Sequence, residues 1–246
     1  MAKIRLDKYL ADMGLGTRTE VKKIIKKGQI TVNDVIVRAP EYKTDTQTDL
    51  VCADGRFVSY ASFEYYMLNK PQGVVSATED KREKTVLDLI VSKKRKDLFP
   101  VGRLDKDTEG LLLITNDGEL AHQLLSPKKH VDKTYVTKLL HPLALEDAAR
   151  LEAGVDIGEQ ELTLPAKVKL LNTEGTEVQI TIWEGKFHQV KRMFQAVGNQ
   201  VVFLKRISMG NLALDEGLRP GEYRLLTREE IMRLKEHAGT DKSSDF

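Results

Sequence analysis

Cysteine is almost absent from this chain: Cys52 is the only one in 246 residues. A single cysteine excludes an internal disulfide and favours a reducing compartment, so we expect the cytoplasm. No apolar run approaches the length that crosses a bilayer, and residues 1–5 lack the apolar core of a signal peptide. We therefore expect no membrane partner.

Motifs for metals and cofactors are lacking as well. The five histidines show no metal-site spacing with one another or with Cys52, and no dinucleotide-binding motif is present. We expect neither a metal nor a cofactor. Lys and Arg total 39 against 37 Asp and Glu, a net charge of +2. The chain has no global basic field, so any binding of nucleic acid must come from local patches.

The length allows one large domain and one small domain. From the change in pattern we place the small domain and a hinge at residues 1–61, the larger domain at 62–238 and a polar, disordered tail at 239–246. Strands alternate with helices and turns in the larger domain, which predicts an α+β protein with a largely antiparallel sheet. We expect a monomer.

The small domain is predicted to contain two short helices and a hairpin. Apolar residues at helical spacing place the first helix over residues 5–13, ended by a Gly-Leu-Gly run. Thr17–Glu20 has capping-box spacing and begins a second helix, which Gly28 ends. Two β-prone runs, Ile30–Val32 and Val35–Val37, flank Asn33-Asp34, a pattern typical of a hairpin.

The second helix is strongly basic. Its cations are Arg18, Lys22, Lys23, Lys26 and Lys27. Charge alone is also compatible with a solvated face, but the order of parts resembles the S4 domain, an RNA-binding domain named after a ribosomal protein. In that family two short helices and a hairpin hold structured RNA, mainly through phosphates. The resemblance covers roughly the first fifth of the chain and implies that these cations, together with Arg5, bind RNA.

A lone carboxylate, Asp105, lies in the glycine-bounded segment Gly102–Gly110. The apolar run Leu111–Thr115 follows and is ended by the turn residues Asn116–Gly118, which predicts a short buried strand. This arrangement gives a carboxylate the rigid support that a covalent nucleophile needs. Taken alone, however, an aspartate next to glycines is more typical of a solvated turn than of a nucleophile.

Three further segments occur in a fixed order around this one: Lys70–Gly73, Ser126–Tyr135 and Glu184–Phe194. Individually they have ordinary interpretations, such as a half-buried strand tyrosine or a solvated Lys-Arg pair on a helix. Together with Gly102–Gly110 they resemble the motifs of the pseudouridine synthases. In that family the Asp of Gly-Arg-Leu-Asp is catalytic, a Tyr lies against the target base, and a basic residue pairs with the Asp.

The resemblance implies roles for particular residues. Asp105, Tyr135 and Lys191 take the catalytic positions, and Arg192 is the second choice for the ion pair with Asp105. Arg103 and Arg192 are expected to contact RNA, Arg103 by filling the gap left when the target uridine is flipped out of its helix. The reaction of the family requires no cofactor.

The small amino-terminal domain and two segments, Ser126–Tyr135 and Pro220–Thr227, resemble the branch of the family that acts on 16S, small-subunit ribosomal RNA. The expected partner is that RNA, free or in a partly assembled ribosomal particle. The branch that modifies large-subunit 23S RNA shares the core and is an alternative. A non-catalytic ribosome-assembly factor would lack the Asp or the Tyr, and a glycoside hydrolase would need a second carboxylate facing Asp105, a role that nothing indicates for Asp107.

Overall fold

The computed structural model describes residues 3–60 and 63–239. It divides into two compact units, Met1–Glu64 with Val91–Leu98, and Tyr65–Ile90 with Phe99–Phe246. The domain boundary predicted at residues 61–62 and the predicted tail, apart from Gly239, lie outside the described residues. Within the described ranges no helix is both long enough and apolar enough to cross a membrane.

The first unit is formed by short strands and helices. They are β1 (Lys3–Arg5), α1 (Leu6–Asp12), α2 (Arg18–Lys26), β2 (Ile30–Val32), β3 (Val35–Ile36), β4 (Lys43–Asp45), β5 (Val51–Ala53) and β6 (Arg56–Phe57). β1 pairs with β4, and a second antiparallel sheet has the order β3-β2-β5-β6. The predicted helix, helix and hairpin are confirmed.

Local sequence explains where these elements begin and turn. The side-chain oxygen of Thr17 accepts the Glu20 N–H at 3.3 Å and the Glu20 carboxylate accepts the Thr17 N–H at 2.7 Å, so the capping box of α2 is formed. Asn33 and Asp34 have φ of 51° and 64°, as the tight turn between β2 and β3 requires. Apolar residues of both helices, such as Leu10 and Ile25, pack on β2 to form the core.

One segment of the first unit comes from farther along the chain. Arg95 lies in Val91–Leu98, and its guanidinium is 3.3 Å from the Asp12 carboxylate and 5.8 Å from the centre of the Tyr60 ring. Glu64 accepts the backbone N–H groups of Lys94 and Arg95. The two domains predicted from the sequence are uninterrupted ranges, so the prediction assigned residues 91–98 to the larger domain.

The second unit is built on a large sheet. Its elements are β7 (Tyr65–Lys70), a short 3₁₀ turn (Val86–Leu89), β8 (Phe99–Pro100), β9 (Glu109–Thr115), α3 (Gly118–Leu125), a second 3₁₀ turn (Pro127–Lys129), β10 (Lys133–Leu139), α4 (Leu145–Ala153), β11 (Lys167–Leu170), β12 (Glu177–Ile182), α5 (Gln189–Ala196), β13 (Val201–Met209), β14 (Leu212–Ala213), β15 (Tyr223–Leu225) and α6 (Arg228–Gly239).

The strand order of this sheet is β11-β12-β10-β13-β9-β7-β15, with β14 paired to β13 and β8 to β9. Every described pairing is antiparallel except β9 with β13, which is parallel. The α+β class with a mainly antiparallel sheet is thus confirmed. β9 is the predicted buried strand, and its residues Leu111–Ile114 are inaccessible to solvent. α3 and α6 cover one face of the sheet.

The parallel pair at the centre depends on a glycine. Gly110 is opposite Arg206 in the register of β9 and β13, and its φ is 105°. A Cβ atom at Gly110 would lie 2.1 Å from the backbone oxygen of Arg206. Only glycine combines this backbone conformation with so close an approach. The glycine that ends the Asp105 segment therefore brings that segment next to β13.

Candidate active site

The loop that carries Asp105 is hydrogen-bonded through its backbone carbonyl groups to a buried ammonium group. Lys70, the last residue of β7, is inaccessible to solvent, and its Nζ donates to the carbonyl oxygens of Asp105 and Thr108, both at 2.9 Å. Longer contacts reach the carbonyls of Pro71 and Lys106. Burial lowers the pKa of Lys70 to about 8, opposed by the charges of nearby carboxylates. One side chain thus gathers the carbonyl groups of the loop.

Further hydrogen bonds fix the same loop. The Thr108 N–H donates to the Asp105 carbonyl at 3.1 Å, which closes a turn, and the Gly73 N–H donates to the Lys106 carbonyl at 2.8 Å. Ser76 accepts the Leu104 N–H and donates to the Leu104 carbonyl. The loop is therefore rigid on both sides of Asp105, as a positioned carboxylate requires.

Asp105 is paired with a cation from α5. Lys191 Nζ lies 2.9 Å from Asp105 Oδ2 and 2.6 Å from Asp107 Oδ1, so one ammonium group serves two carboxylates. His188 Nε2 lies 3.5 Å from the other oxygen of Asp105. The hydrogen bond from Lys191 lowers the pKa of Asp107, and the two carboxylates together raise the pKa of Lys191 against the effect of its burial.

Arg192, the second choice for this pair, points elsewhere. Its guanidinium is 2.7 Å from the Glu159 carboxylate and donates to the carbonyl oxygens of Phe187 and Ile157. These contacts tie the chain before α5 to the segment around residue 158. The structure brings Lys191, and not Arg192, to Asp105.

The carboxylate opens into a cavity of about 430 Å³ that belongs wholly to the second unit. Asp105, Arg103 and His188 line it together with Tyr135, and the deeper walls include Lys133 and Arg206. Tyr135 is 8% exposed and lies on β10. Asp105 and Tyr135, both predicted from the sequence, therefore lie in one site. The volume of this cavity is that of a small-molecule pocket.

The other predicted RNA-binding residues lie in the first unit. Asp7 is fully buried, and the guanidinium groups of Arg5 and Arg18 approach its carboxylate to 3.0 and 3.2 Å, with Lys22 at 4.0 Å. The hydrogen bond from Arg5 is the main cause that lowers the pKa of Asp7 to about 2. The remaining lysines of α2 and its C-cap residue are exposed to solvent: Lys23, Lys26 and Lys27.

Several residues of this site were not predicted from the sequence. His188 and Asp107 lie within or next to motifs that drew attention to other residues, and Lys133 is adjacent to the Thr-Tyr of its own motif. Arg206 lies on β13, outside every motif. Within residues 3–60 and 63–239 no group of three His, Cys, Asp or Glu side chains is arranged to hold a metal ion.

Comparisons with known proteins agree with this geometry. Residues 64–196, more than half of the chain, match the family described as RNA pseudouridylate synthase, and residues 4–49 match the S4 domain. A solved structure described as a pseudouridylate synthase is similar over 94% of this chain and 99% of its own, with a TM-score of 0.67 and 39% identity.

Relatives are similar over nearly their whole length. The chain is 51% identical to an uncharacterised RNA pseudouridine synthase, YtzG, of Bacillus subtilis, over 95% of this chain and 99% of the relative. It is 44% identical to the ribosomal small subunit pseudouridine synthase A of Vibrio cholerae and 41% identical to that of Escherichia coli, over 93% of this chain and 98% of each relative. With an S4 domain ahead of the catalytic motifs, the chain belongs to the RNA pseudouridylate synthase family.

Proposed function

We propose that this protein isomerises one uridine of 16S, small-subunit ribosomal RNA to pseudouridine. The observation that carries the proposal is the pairing of Asp105 with Lys191 at 2.9 Å in a cavity that also contains Tyr135. The relatives that share the S4 domain and are named for the small subunit support the choice of RNA.

In the proposed reaction, the bond between C1′ of the ribose and N1 of uracil breaks, the base rotates, and C5 bonds to C1′. The C5 proton then leaves and N1 takes up a proton, so the product is an isomer of the substrate. Asp105 acts at the sugar, either as a nucleophile whose bond to C1′ breaks again when C5 attacks, or as a base that removes the C2′ proton and returns it when C5 bonds to C1′. Deuterium at C2′ slows only the second route, so its rate effect separates the two.

Lys191 and Tyr135 have supporting roles in this proposal. The ammonium group of Lys191, 2.9 Å from Asp105 Oδ2, orients the carboxylate and balances its negative charge. Tyr135, which lines the same cavity, stacks on the uracil ring, and its hydroxyl accepts the proton from C5.

The test measures pseudouridine in 16S RNA after incubation with the purified protein, using both the free transcript and partly assembled small-subunit particles. We expect one modified uridine with the wild type and none with Asp105→Asn, which removes the reactive charge and almost no volume. Tyr135→Phe should bind RNA normally but turn over slowly. Pseudouridine made in 23S RNA instead, or undiminished turnover by Asp105→Asn, would contradict the proposal.

A further inference from the structure

Two buried cations share the inner wall of the cavity with Tyr135. Lys133 and Tyr135 are two residues apart on β10, so their side chains leave the sheet on the same face. Arg206 on β13 is the register partner of Tyr135, and directly paired residues of neighbouring strands also share a face. All three residues line the cavity that contains Asp105.

Neither cation forms a salt bridge with a carboxylate in residues 3–60 or 63–239. Lys133 is 8% exposed and Arg206 is 2% exposed. Lys133 Nζ donates to the Val131 carbonyl at 2.7 Å, and Arg206 Nε donates to the Leu111 carbonyl at 2.8 Å. Arg206 Nη2 is buried, and no group in the described parts of the chain accepts a hydrogen bond from it.

Two buried cations on one wall lower the stability of the folded protein unless a ligand supplies negative charge between them. Buried charges that lack a partner cost free energy, and two like charges on one wall repel each other. Burial, followed by the charge of Arg206, lowers the pKa of Lys133 to about 8, while Asp132 and Glu184 act in the opposite direction. Groups arranged this way, against stability, are typical of a site that receives negative charge from a substrate.

The chemistry of the proposed reaction supplies that charge. When the C1′–N1 bond breaks, its electron pair stays with uracil, and the resulting anion spreads over N1, O2 and O4. The same anion forms whether Asp105 attacks C1′ or removes the C2′ proton. Its charge is consumed when C5 bonds to C1′, and the base stays neutral afterwards because N1 gains a proton as C5 loses one. The base must therefore be held as an anion while it rotates.

We propose that Arg206 and Lys133 bind the carbonyl oxygens of the target uracil and stabilise the uracil anion between bond cleavage and reattachment. This inference rests on the proposed function. A phosphate of the RNA backbone is less suited to this position, because the two cations are deeply buried and only a flipped base reaches so far into the protein. Arg103, which is exposed at the same cavity, is better placed for the backbone.

The first test compares Arg206→Met and Lys133→Met with the wild type in single-turnover assays on the RNA substrate. Loss of one such donor should lower the rate constant roughly 100- to 1000-fold, while the Kd for RNA stays within about twofold and the melting temperature does not fall. Arg206→Lys should recover at least about tenfold of the loss. Lys138→Met, an exposed position on the same strand, is the matched control and should not change the rate.

A merely structural pair predicts the opposite pattern. In that case both methionine variants would melt earlier, and their activity at a temperature where they remain folded would match the wild type. That result, or equal losses in RNA affinity and rate, would overturn the proposal. If Arg206→Met does not fold, Lys133→Met and Arg206→Lys provide the same comparison.

A second test does not depend on turnover. The probe is free 5-nitrouracil, whose nitro group leaves the ring ionised near neutral pH, with binding to the full-length protein followed by NMR. We expect binding by the wild type and by Asp105→Asn but not by Arg206→Met. Equal signals from the wild type and Arg206→Met would overturn the inference. If binding of 5-nitrouracil depends on Arg206 but 16S RNA is not modified, the proposed substrate is wrong and the proposed uracil site is still supported.

Discussion

Lys191 is shared between two carboxylates that face different spaces. Asp105 lines the cavity with Tyr135, whereas Asp107, whose side chain is 70% exposed, lines a second cavity of about 650 Å³ together with Lys191 itself. At the scale of single residues, Asp107 is therefore a competitor for the cation that Asp105 needs. The carboxylate of Asp107 is bound to the same ammonium group as Asp105, whereas the second carboxylate of a glycoside hydrolase acts on the substrate.

Replacement of Lys191 tests the ion pair. We expect Lys191→Met to lower the single-turnover rate roughly a hundredfold, because the charge of Asp105 loses its partner in a half-buried site. RNA affinity should change little. Lys191→Arg keeps the charge and is the control. It should retain most of the rate, and equal damage in both variants would mean that shape, and not charge, is what matters at this position.

The pH dependence of kcat/KM should report Lys133. Because the pKa of Lys133 is lowered to about 8, kcat/KM should decrease as the pH rises through about 8 and the ammonium group loses its proton. Lys133→Arg stays charged over this range and should flatten the decrease. Any decrease that persists is expected from Lys70, whose pKa is also about 8. Identical profiles for both proteins would exclude Lys133 as the titrating group.

The contribution of Lys133 to the free energy of unfolding should increase as the pH rises, whereas kcat/KM decreases. Between pH 8 and about 10.4 the unfolded chain holds the proton that native Lys133 has lost, so this group adds stability as the pH rises. Urea unfolding at pH 7 and pH 9.5 should therefore show the advantage of Lys133→Met over the wild type shrinking at the higher pH.

The sequence placed three of the site residues, Asp105, Tyr135 and Lys191, because each lies in a short motif of fixed composition. It did not reveal Lys133 or Arg206 as part of the site. Lysine and arginine are ordinarily exposed, and what buries these two is the register between β10 and β13, a long-range property with no local signal. His188 was not predicted either, because its contact with Asp105 joins residues more than eighty positions apart in the sequence.

At the scale of elements, prediction succeeded where the ends carry chemical signals. The capping residues of α2 and the Asn-Asp turn between β2 and β3 fixed both boundaries. α4 went unpredicted because its N-cap residue is Ala144, which has no side chain able to cap it. β13 was also missed, since its apolar and charged residues follow no regular alternation that marks a strand.

Gly110→Ala tests the close approach of β9 and β13. The new Cβ would meet the backbone of Arg206, and the positive φ adds strain, so we expect a loss of about 3 kcal/mol in the free energy of unfolding. Gly118→Ala, at the start of α3 with open space around its Cα, is the control and should stabilise the protein by up to about 1 kcal/mol. Chemical denaturation measures both, and a neutral Gly110→Ala would contradict the packing described.

The basic helix α2 is tested through the salt dependence of RNA binding. If Lys22, Lys23, Lys26 and Lys27 contact phosphates, replacing all four by Gln should weaken binding and make log Kd less dependent on log salt, by about 0.7 to 0.9 for each phosphate that is no longer neutralised. Replacing the same four by Arg preserves the charge and should preserve the slope. An unchanged slope and affinity in the Gln variant would mean that the lysines are only a solvated face.

At the scale of the whole molecule, the sequence indicated two folding units, but the excursion of Val91–Leu98 has no signature in composition. This segment limits how the catalytic unit can be isolated. Deleting residues 1–61 removes Asp12 and Tyr60, two of the partners of Arg95, and leaves it paired with Asp97. We expect that deletion to give a fragment that exposes apolar surface and binds a hydrophobic dye.

A second fragment should behave better. It lacks residues 1–64 and carries a short Gly-Ser linker in place of residues 91–98. We expect it to melt cooperatively, and to bind RNA at least tenfold more weakly than the full chain because the S4 domain is absent. Calorimetry and RNA titration check both points. Cooperative melting of the simple deletion, without dye binding, would show that the segment folds independently of its partners.

The parallel pair of β9 and β13 also bears on the order in which the protein forms. Antiparallel pairs such as β7 with β9 join nearer parts of the chain, whereas Glu109 and Gly110 pair with Lys205 and Arg206, almost a hundred residues later. Contacts of such high sequence separation form slowly. The two halves of the sheet, one bearing Asp105 and the other bearing Tyr135 and Arg206, are then joined late in folding. A partly folded chain in which all antiparallel strand pairs have formed would still lack the complete site and could not modify RNA. Pseudouridine formation therefore measures the fraction of chains that have folded completely.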